Sequence, residues 1–208
     1  MRERKKKQTR ELIADVARDL FADRGFDAVT VAQVARAANV SEVTVFNYFP
    51  TKEDLFYGGM QFFEEKLLDA VRERTPGTSV LEAFRRPVLE GMPRLASDEA
   101  AEVIAAAANL ISASPALEAH EREIVARYTR RLAELLADEA GAEPGDVEAI
   151  GVASALMGVQ RAVVGYVRIS VLAGRRGPNL ADDATSQAVR GFGRLEKGLG
   201  DYGSTPSR

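Results

Sequence analysis

The chain has 208 residues, 46% of them hydrophobic, and is therefore long enough to bury a substantial core. It contains no cysteine and one histidine, which excludes disulfide bonds, thiolate metal sites and any imidazole-rich metal or catalytic centre. Its net charge of −3 at pH 7 excludes a uniformly basic protein that coats nucleic acid.

The N-terminal segment MRERKKKQTR concentrates about five net positive charges in residues 2–10. It lacks the apolar stretch of a signal peptide or a membrane span, so we expect a cytoplasmic protein with no membrane contact. Two interpretations of the basic run remain open. It is either a solvated, disordered tail or an arm that contacts DNA phosphates.

Apolar residues recur at helical spacing almost throughout the sequence, and no segment shows the two-residue alternation of a strand. We therefore predict an all-α protein of about nine helices. The first helix is predicted over residues 8–24, with an apolar stripe that includes Ile13, Ala17 and Phe21. Gly25 is expected to end it.

Helix-start signals then follow one another closely. Thr30 with Gln33 three residues later fits a capping box, and Thr51 with Asp54 fits a second one. Ser41 is a suitable N-cap between them. The spacing predicts two short helices and then a long one.

Asn39 is placed to join the two short helices through a tight turn. Asparagine adopts the left-handed conformation that such a turn requires more readily than most other residues. Pro50 then separates the second short helix from the long one, because the residue before a proline is biased away from helical dihedrals. The segment is therefore predicted to be a helix-turn-helix.

The remaining sequence predicts a long helix directly after the helix-turn-helix and five more beyond Pro76. Pro87 is expected to kink or divide the first of these five. The predicted helices cover residues 52–74, 79–95, 98–112, 115–140, 146–173 and 180–198.

The second short helix is expected to present a distinct outer face. With Val45 and Phe49 turned inward, the 3.6-residue period places Val43, Phe46 and Asn47 on the opposite side. Outward apolar side chains are suited to thymine methyl groups, and asparagine can pair with adenine. The arrangement is typical of a helix that enters the major groove of DNA.

Neighbouring polar residues are predicted to complete a DNA-binding site. Glu42 can accept a hydrogen bond from a cytosine amino group, or it can simply stabilise the positive end of the helix dipole. Hydroxyl and ammonium groups around the short helices are expected to contact phosphates. The predicted DNA-binding residues are Thr30, Gln33, Arg36, Glu42, Val43, Thr44, Phe46, Asn47, Tyr48 and Lys52.

The string VSEVTVFNYFPTKEDLF, preceded by TVAQVARAANV, resembles the signature of the TetR family of repressors, and the resemblance covers residues 8–57. It implies a helix-turn-helix DNA-binding domain of three helices at residues 1–57. It also implies a helical ligand-binding and dimerisation domain at residues 58–208. The expected partners are a double-stranded DNA operator with an inverted repeat, a second copy of the chain and a small-molecule effector that releases the DNA.

Three positions depart from the family pattern. Asn39 stands where glycine is usual, a change that preserves the left-handed turn. Phe46 stands where tyrosine is frequent, so one hydroxyl contact to phosphate is expected to be missing. Ala32 stands where a polar or basic residue often reads bases, so the first short helix should contribute less sequence information.

Glycines recur every seven residues within residues 146–173, and these glycines share one helix side with two alanines. A glycine costs a helix interior about 1 kcal/mol relative to alanine, so three in register indicate that another backbone comes close. That backbone belongs either to a second subunit or to a bulky helix of the same chain. Since TetR-like proteins dimerise through their last two long helices, the predicted interface comprises Gly151, Ala155, Gly158, Ala162, Gly165 and Gly191.

Polar residues interrupt two apolar helix faces in the C-terminal region, and the largely apolar character of these faces suits a small, largely apolar effector. The interrupting residues either line an effector cavity or are ordinary core residues with satisfied hydrogen bonds. His120 flanks one face and is expected at the surface or rim. The predicted ligand-binding residues are Glu121, Tyr128, Met157, Gln160 and Val164.

The family resemblance implies that an effector moves the helix that begins at Lys52 and so changes the separation of two recognition helices. Gly58 and Gly59 lie early in that helix, where they are either a hinge or merely tolerated.

Two rival functions remain open on the sequence alone. One is a ligand-independent activator on the same fold, and the other is an all-helical enzyme or carrier. The sequence has no phosphate-binding loop, no HExxH motif and no carboxylate cluster at useful spacing, so we expect neither catalysis nor a cofactor or metal.

Overall fold

The computed structural model describes the backbone of residues 2–199 and, except at residues 2–5, 7, 59–62 and 199, their side chains. Over these residues the protein has nine α-helices and one short 3₁₀ helix, with no strand, so the predicted all-α class is confirmed. The helices are α1 (Arg2–Arg24), α2 (Val31–Ala37), α3 (Glu42–Tyr48), α4 (Lys52–Arg72), α5 (Val80–Gly91), the 3₁₀ helix (Met92–Ala96), α6 (Asp98–Ala113), α7 (Pro115–Ala140), α8 (Val147–Leu172) and α9 (Gly177–Leu199).

Helix α1 begins at Arg2, six residues before the predicted start at Gln8. The basic run is therefore the first part of a helix, which excludes the disordered tail, one of the two interpretations left open. The side chains of Arg2, Arg4, Lys5 and Lys7 lie outside the described residues, whereas that of Lys6 is exposed.

The predicted caps of the two short helices are present. The Thr30 hydroxyl oxygen accepts from the Gln33 amide at 3.3 Å, and the Gln33 side chain accepts from the Thr30 amide at 2.8 Å. Ser41 caps α3 by accepting from the Thr44 amide at 3.1 Å. Each cap satisfies backbone donors that a helix N-terminus leaves without partners.

The turn between the short helices and the start of α4 also follow the sequence prediction. Asn39 has a φ of 54°, the left-handed conformation expected of it. At α4, the Asp54 amide donates to the Thr51 hydroxyl at 3.0 Å, while the Thr51 amide donates to the Asp54 carboxylate at 3.1 Å. This reciprocal pair is the second capping box.

Pro87 lies inside α5, which continues beyond it to Gly91, so this proline does not divide the helix. The chain changes to the 3₁₀ conformation only at Met92, next to Pro93. Pro87 is buried together with Phe84 and Val88, and this packing holds the helix through the position where the proline removes a backbone hydrogen bond.

The chain divides into two compact units, and the first comprises Met1–Phe62 with Ala106–Arg122. An aromatic cluster occupies its interior. The rings of Phe21 and Phe26 have centroids 5.0 Å apart, and Phe56 lies 6.1 Å from Phe26. Other fully buried side chains complete this core, and each stabilises the fold by roughly 1.5–3 kcal/mol; they include Ile13, Val34, Val45, Phe49, Tyr57 and Leu117.

The second unit comprises Phe63–Ala105 with Glu123–Arg208, and in it α9 packs against α8, α5 and the 3₁₀ helix. Phe84 of α5 meets Phe192 of α9 edge to face, with centroids 6.2 Å apart. At the α8–α9 connection, Arg175 donates to the Tyr166 hydroxyl at 2.7 Å and pairs with Asp183. The hydrogen bond from Arg175 lowers the pKa of Tyr166. These contacts fix α9 on α8.

Candidate nucleic-acid interface

Helix α3 has one buried and one exposed face. Val45 and Phe49 are 0% and 1% exposed, so they anchor α3 in the core of the first unit. Val43 is 69% and Phe46 is 47% exposed, and Asn47 is exposed beside them. The predicted orientation of the two faces is therefore confirmed. Two large apolar side chains on the outside of a seven-residue helix form a surface suited to a binding partner.

The predicted phosphate-contacting and base-contacting residues near this face differ in how exposed they are and in whether they already have hydrogen-bond partners. Arg36 and Glu42 are exposed, and Tyr48 is half-buried. The Thr44 hydroxyl shares a hydrogen bond of 2.8 Å with the Ser41 hydroxyl, so it is oriented by the cap of α3. Thr30 is exposed at the start of α2, where the helix dipole favours an anion.

Gln33 and Lys52 are already engaged within the chain. The side-chain oxygen of Gln33 accepts from the Thr30 amide, so this residue serves first as part of a cap. The ammonium of Lys52 lies 4.2 Å from the centre of the Phe26 ring and donates to the Asp27 carbonyl at 3.5 Å. Lys52 therefore also packs on the core, and its removal would cost stability as well as charge.

Sequence patterns did not reveal two neighbours of Phe49, the residue that follows α3. The guanidinium of Arg10, in α1, lies 5.3 Å from the centre of the Phe49 ring. A Cβ placed on Gly58, in α4, would lie 2.8 Å from Cε1 of the same ring. The end of α3 is thus held between α1 and α4 by contacts that only the folded chain creates.

The corner between α6 and α7 is tied to the helix-turn-helix bundle by three hydrogen bonds within the first unit. The Ser114 hydroxyl donates to the Asp27 carboxylate at 3.1 Å, and the Tyr57 hydroxyl donates to the Leu117 carbonyl at 3.0 Å. His120 Nε2 lies 3.1 Å from Asp54 Oδ1. Of the expected surface or rim position of His120, the open surface is excluded, because its side chain is only 14% exposed and packs on the bundle.

The glycines of α8 face away from the described part of their own chain. No described atom lies within 4 Å of a Cβ placed on Gly151, Gly158 or Gly165, so they do not pack against a bulky helix of the same chain. Exposed Val147 and Ile169 fall on the same side of α8. A long apolar strip is left open along this helix.

The other predicted interface residues lie in two different environments. Ala162 is exposed and Ala155 is half-buried on α8. Gly191, in α9, packs inside the chain instead, because a Cβ there would lie 2.8 Å from Cγ1 of Val159. Its missing side chain therefore allows α8 and α9 to approach closely.

Helix α8 is also long and apolar enough to cross a membrane, with a mean hydropathy of 1.4 over its most apolar window. Helices in the cores of soluble proteins share this property, so the helix alone does not indicate a membrane protein.

Among the predicted ligand-binding residues, Tyr128 already has partners in the second unit. It is 4% exposed, and its hydroxyl donates to Glu65 at 3.2 Å. Arg131 holds the same Glu65 carboxylate through both of its terminal nitrogens. The hydrogen bond from Arg131 lowers the pKa of Glu65, while burial and the Glu65 charge raise the pKa of Tyr128.

The remaining predicted ligand-binding residues lie on two helices. Met157 is buried on α8, with Gln160 and Val164 half-buried on the same helix. Glu121 is half-buried on α7, within the part of that helix that belongs to the first unit.

This helical protein thus carries a capped helix-turn-helix with an exposed recognition face, the architecture of a DNA-binding transcription regulator. The family model of bacterial regulatory proteins of the TetR family matches residues 13–57, and the model of the MftR C-terminal domain matches residues 78–192. The chain belongs to the TetR family of transcriptional regulators.

Two curated relatives illustrate how far the similarity extends. The transcriptional regulator TcmR of Streptomyces glaucescens is 32% identical over 84 residues, which cover 40% of this chain and 37% of TcmR. MftR of Mycobacterium tuberculosis, whose name assigns it to the regulation of mycofactocin biosynthesis, is 26% identical over 75% of this chain and 78% of MftR. The match to TcmR thus spans little more than a third of that relative's length.

A solved structure shows the same fold over nearly the whole chain. A TetR-family regulator from Streptomyces coelicolor A3 is 25% identical, with a TM-score of 0.56, and the match covers 93% of this chain and 94% of the other.

Proposed function

We propose that the protein is a repressor that binds an inverted-repeat operator as a homodimer and releases it when a small, largely apolar effector binds. The observation that carries the DNA-binding part is the exposed face of α3, where Val43, Phe46 and Asn47 point outward while Val45 and Phe49 anchor the helix. The family match at residues 13–57 supports the assignment of residues 1–57 as the DNA-binding domain.

The chemistry of α3 matches the edges of bases in the major groove. Val43 and Phe46 offer apolar contact to thymine methyl groups, and the Asn47 amide can donate and accept at one adenine. Arg36, Thr30, Thr44 and their polar neighbours in the predicted set supply phosphate contacts that orient the helix without reading sequence. The Glu42 carboxylate either accepts a hydrogen bond from a cytosine or stabilises the α3 dipole. A cytosine that recurs at one position of the selected DNA would favour the first role.

The open strip of α8 supports the homodimer. It combines glycines whose missing Cβ would have no described atom within 4 Å with exposed Val147, Ile169 and Leu172 on the same side. A second copy of α8 would cover it and allow backbones to approach closely. A dimer places two recognition helices on half-sites about 34–36 Å apart, so small changes in their separation abolish simultaneous binding.

The effector site is proposed for residues 58–208, with Met157, Gln160 and Val164 of α8 and Tyr128 of α7 among its contacts. The mostly apolar character of these helices supports an apolar effector with few polar groups. Since Tyr128 already donates to Glu65, a ligand that used this hydroxyl would have to exchange that hydrogen bond. A regulator of this kind would act on DNA in the cytoplasm.

The test is selection of bound DNA from a random pool with the full chain. We expect enrichment of an inverted repeat, and we expect a variant with Val43 and Asn47 both changed to alanine to enrich a different sequence or none. Failure of the wild-type protein to enrich any DNA would contradict the proposal and favour an all-helical enzyme or carrier. Titration of the selected operator complex with candidate metabolites then separates an effector-released repressor from a ligand-independent regulator.

A further inference from the structure

Asp54 connects the start of α4 to two different parts of the first unit. Its Oδ2 atom accepts from the Thr51 amide at 3.1 Å and from the Thr51 hydroxyl at 2.8 Å. Its Oδ1 atom lies 3.1 Å from His120 Nε2. The side chain is 12% exposed, so each of these contacts replaces hydration that the carboxylate has lost.

The segment that Asp54 caps follows directly on the recognition helix. Phe49 is the C-cap of α3, its amide donates to the Val45 carbonyl, and only Pro50 separates it from Thr51. A shift of the Asp54 carboxylate would therefore be passed to the end of α3 through a proline whose φ is fixed.

His120 is itself held in place. Its ring centroid lies 5.8 Å from that of Tyr57, whose hydroxyl donates to the Leu117 carbonyl one turn earlier in α7. An ionised carboxylate only accepts hydrogen bonds, so in this pair the N–H of His120 Nε2 is the donor and Asp54 Oδ1 is the acceptor. The contact joins residues 66 positions apart in the sequence.

We propose that His120 is a positioning residue for DNA recognition, which sets the orientation of α3 through the Asp54 cap. The proposal rests on the proposed function of α3 as the DNA reader. Without the imidazole, Oδ1 loses a donor in a largely buried place, which favours a turn of the carboxylate toward water or another donor. The Thr51 cap and the end of α3 turn with it.

The chain offers a matched control for a merely structural contact. The Ser114–Asp27 hydrogen bond has the same length, 3.1 Å, and ties the same α6–α7 corner to the bundle, but it ends on the α1–α2 connection rather than after α3. Loss of either bond should loosen the corner. Only loss of the His120 bond should disturb the recognition helix.

The experiment compares full-length, tag-free wild type with His120→Ala, His120→Gln and Ser114→Ala on operator DNA selected by the wild type. Glutamine places an amide nitrogen the same number of bonds from Cα as His120 Nε2 and can donate to Asp54. Affinity is measured by fluorescence anisotropy well below the unfolding temperature of each variant. We expect His120→Ala to bind about tenfold more weakly, His120→Gln to recover most of the loss and Ser114→Ala to match wild type.

A second readout uses the fact that the chain has a single histidine. The imidazole signals in the NMR spectrum of the wild type should shift when operator DNA is added, although His120 is not a predicted DNA contact. Unchanged signals together with wild-type affinity of His120→Ala would overturn the proposal, as would equal weakening by His120→Ala and Ser114→Ala. If His120→Ala does not fold, the imidazole signals of the wild type decide, and signals that stay unchanged on addition of operator DNA overturn the proposal. Failure of the wild type to select DNA would instead refute the proposed function and the positioning role with it.

Discussion

The ring of Phe49 lies directly against Gly58, with its Cε1 atom 2.8 Å from the point that a Cβ on Gly58 would occupy. Phe49 ends the recognition helix and Gly58 lies in the second turn of α4, so this contact sets how closely α3 approaches α4. It gives Gly58 a steric role in packing. The idea of a hinge at Gly58 and Gly59 remains a prediction, and Gly59 lies outside the residues whose surroundings are described.

Replacement of Gly58 by alanine should therefore destabilise the protein. The methyl group gains about 1 kcal/mol of helix propensity, but it overlaps a ring that is 1% exposed and has little room to move, at a cost of about 1–3 kcal/mol. We expect a net loss of about 1 kcal/mol in the free energy of unfolding by urea.

Gly91→Ala is the matched control, since Gly91 is also helical and no described atom lies within 4 Å of its missing Cβ. It should leave stability unchanged or raise it slightly. A Gly58→Ala protein as stable as Gly91→Ala would show that the Phe49 ring moves aside without cost.

The helix-turn-helix could be read from the sequence because its signals are local. Capping boxes act over three residues, and Asn39 needs only its own conformation. The inward and outward faces of α3 follow from the helical period alone. The early start of α1 was missed because a charged run has no apolar stripe to mark it as helical.

The contacts that hold this reader in place could not be predicted. His120 meets Asp54 across 66 positions and Ser114 meets Asp27 across 87, and no pattern in one sequence pairs such residues. A lone histidine beside an apolar stripe has the same local signature at a surface as in a buried contact. The glycine face of α8 could be predicted only in part. The seven-residue spacing showed that the glycines share one side of the helix, but it did not show which neighbour contacts that side.

The Glu65 ion pair predicts a dependence of stability on pH. The hydrogen bond from Arg131 lowers the pKa of Glu65 in the folded protein below its ordinary value, so the unfolded chain binds more protons at acid pH. The contribution is present above the unfolded pKa and is lost as pH falls through the folded one. Because both side chains are more than a third exposed, solvent screening limits it to at most about 1 kcal/mol.

Arg131→Gln tests this dependence. The pKa of Glu65 should return toward its ordinary value, and the stability difference between wild type and variant should shrink as pH is lowered from 7 to 3. Urea unfolding at several pH values measures it. Arg122→Gln, which changes an exposed arginine on the same helix, is the control and should give a difference that is small at all pH values. If the stability difference between wild type and Arg131→Gln does not depend on pH, the Glu65–Arg131 ion pair is not the cause of the pH dependence.

The open face of α8 predicts the effect of bulk on self-association. Gly158→Gln places a long polar side chain on a residue whose added Cβ would have no described atom within 4 Å, so the monomer fold should tolerate it. If a second α8 covers this face, the added bulk should raise the dimer dissociation constant at least tenfold. Sedimentation velocity over a concentration series measures the change.

Gly91→Gln makes the same substitution at an uncrowded helical glycine on α5 and should leave association unchanged. Equal association of the two variants would remove α8 from the interface. Unfolding of Gly158→Gln as a monomer would be visible in its circular dichroism spectrum and would show instead that the face is needed within the chain.

The last prediction separates reading of bases from contact with phosphates. Asn47 is exposed on the outer face of α3, and a paired contact from its amide to one adenine is worth about 1–3 kcal/mol of discrimination. Asn47→Ala should therefore lose base preference at one position of each half-site and keep it elsewhere.

Arg36→Ala removes an exposed charge from α2 and should weaken binding to all sequences alike. It should also reduce the magnitude of the slope of log affinity against log salt by about one. Lys52→Ala is a poorer comparison because its ammonium also packs on Phe26. Binding to a panel of single-base operator variants at two salt concentrations distinguishes the two effects. A uniform loss from Asn47→Ala would mean that its side chain orients the complex and reads no base.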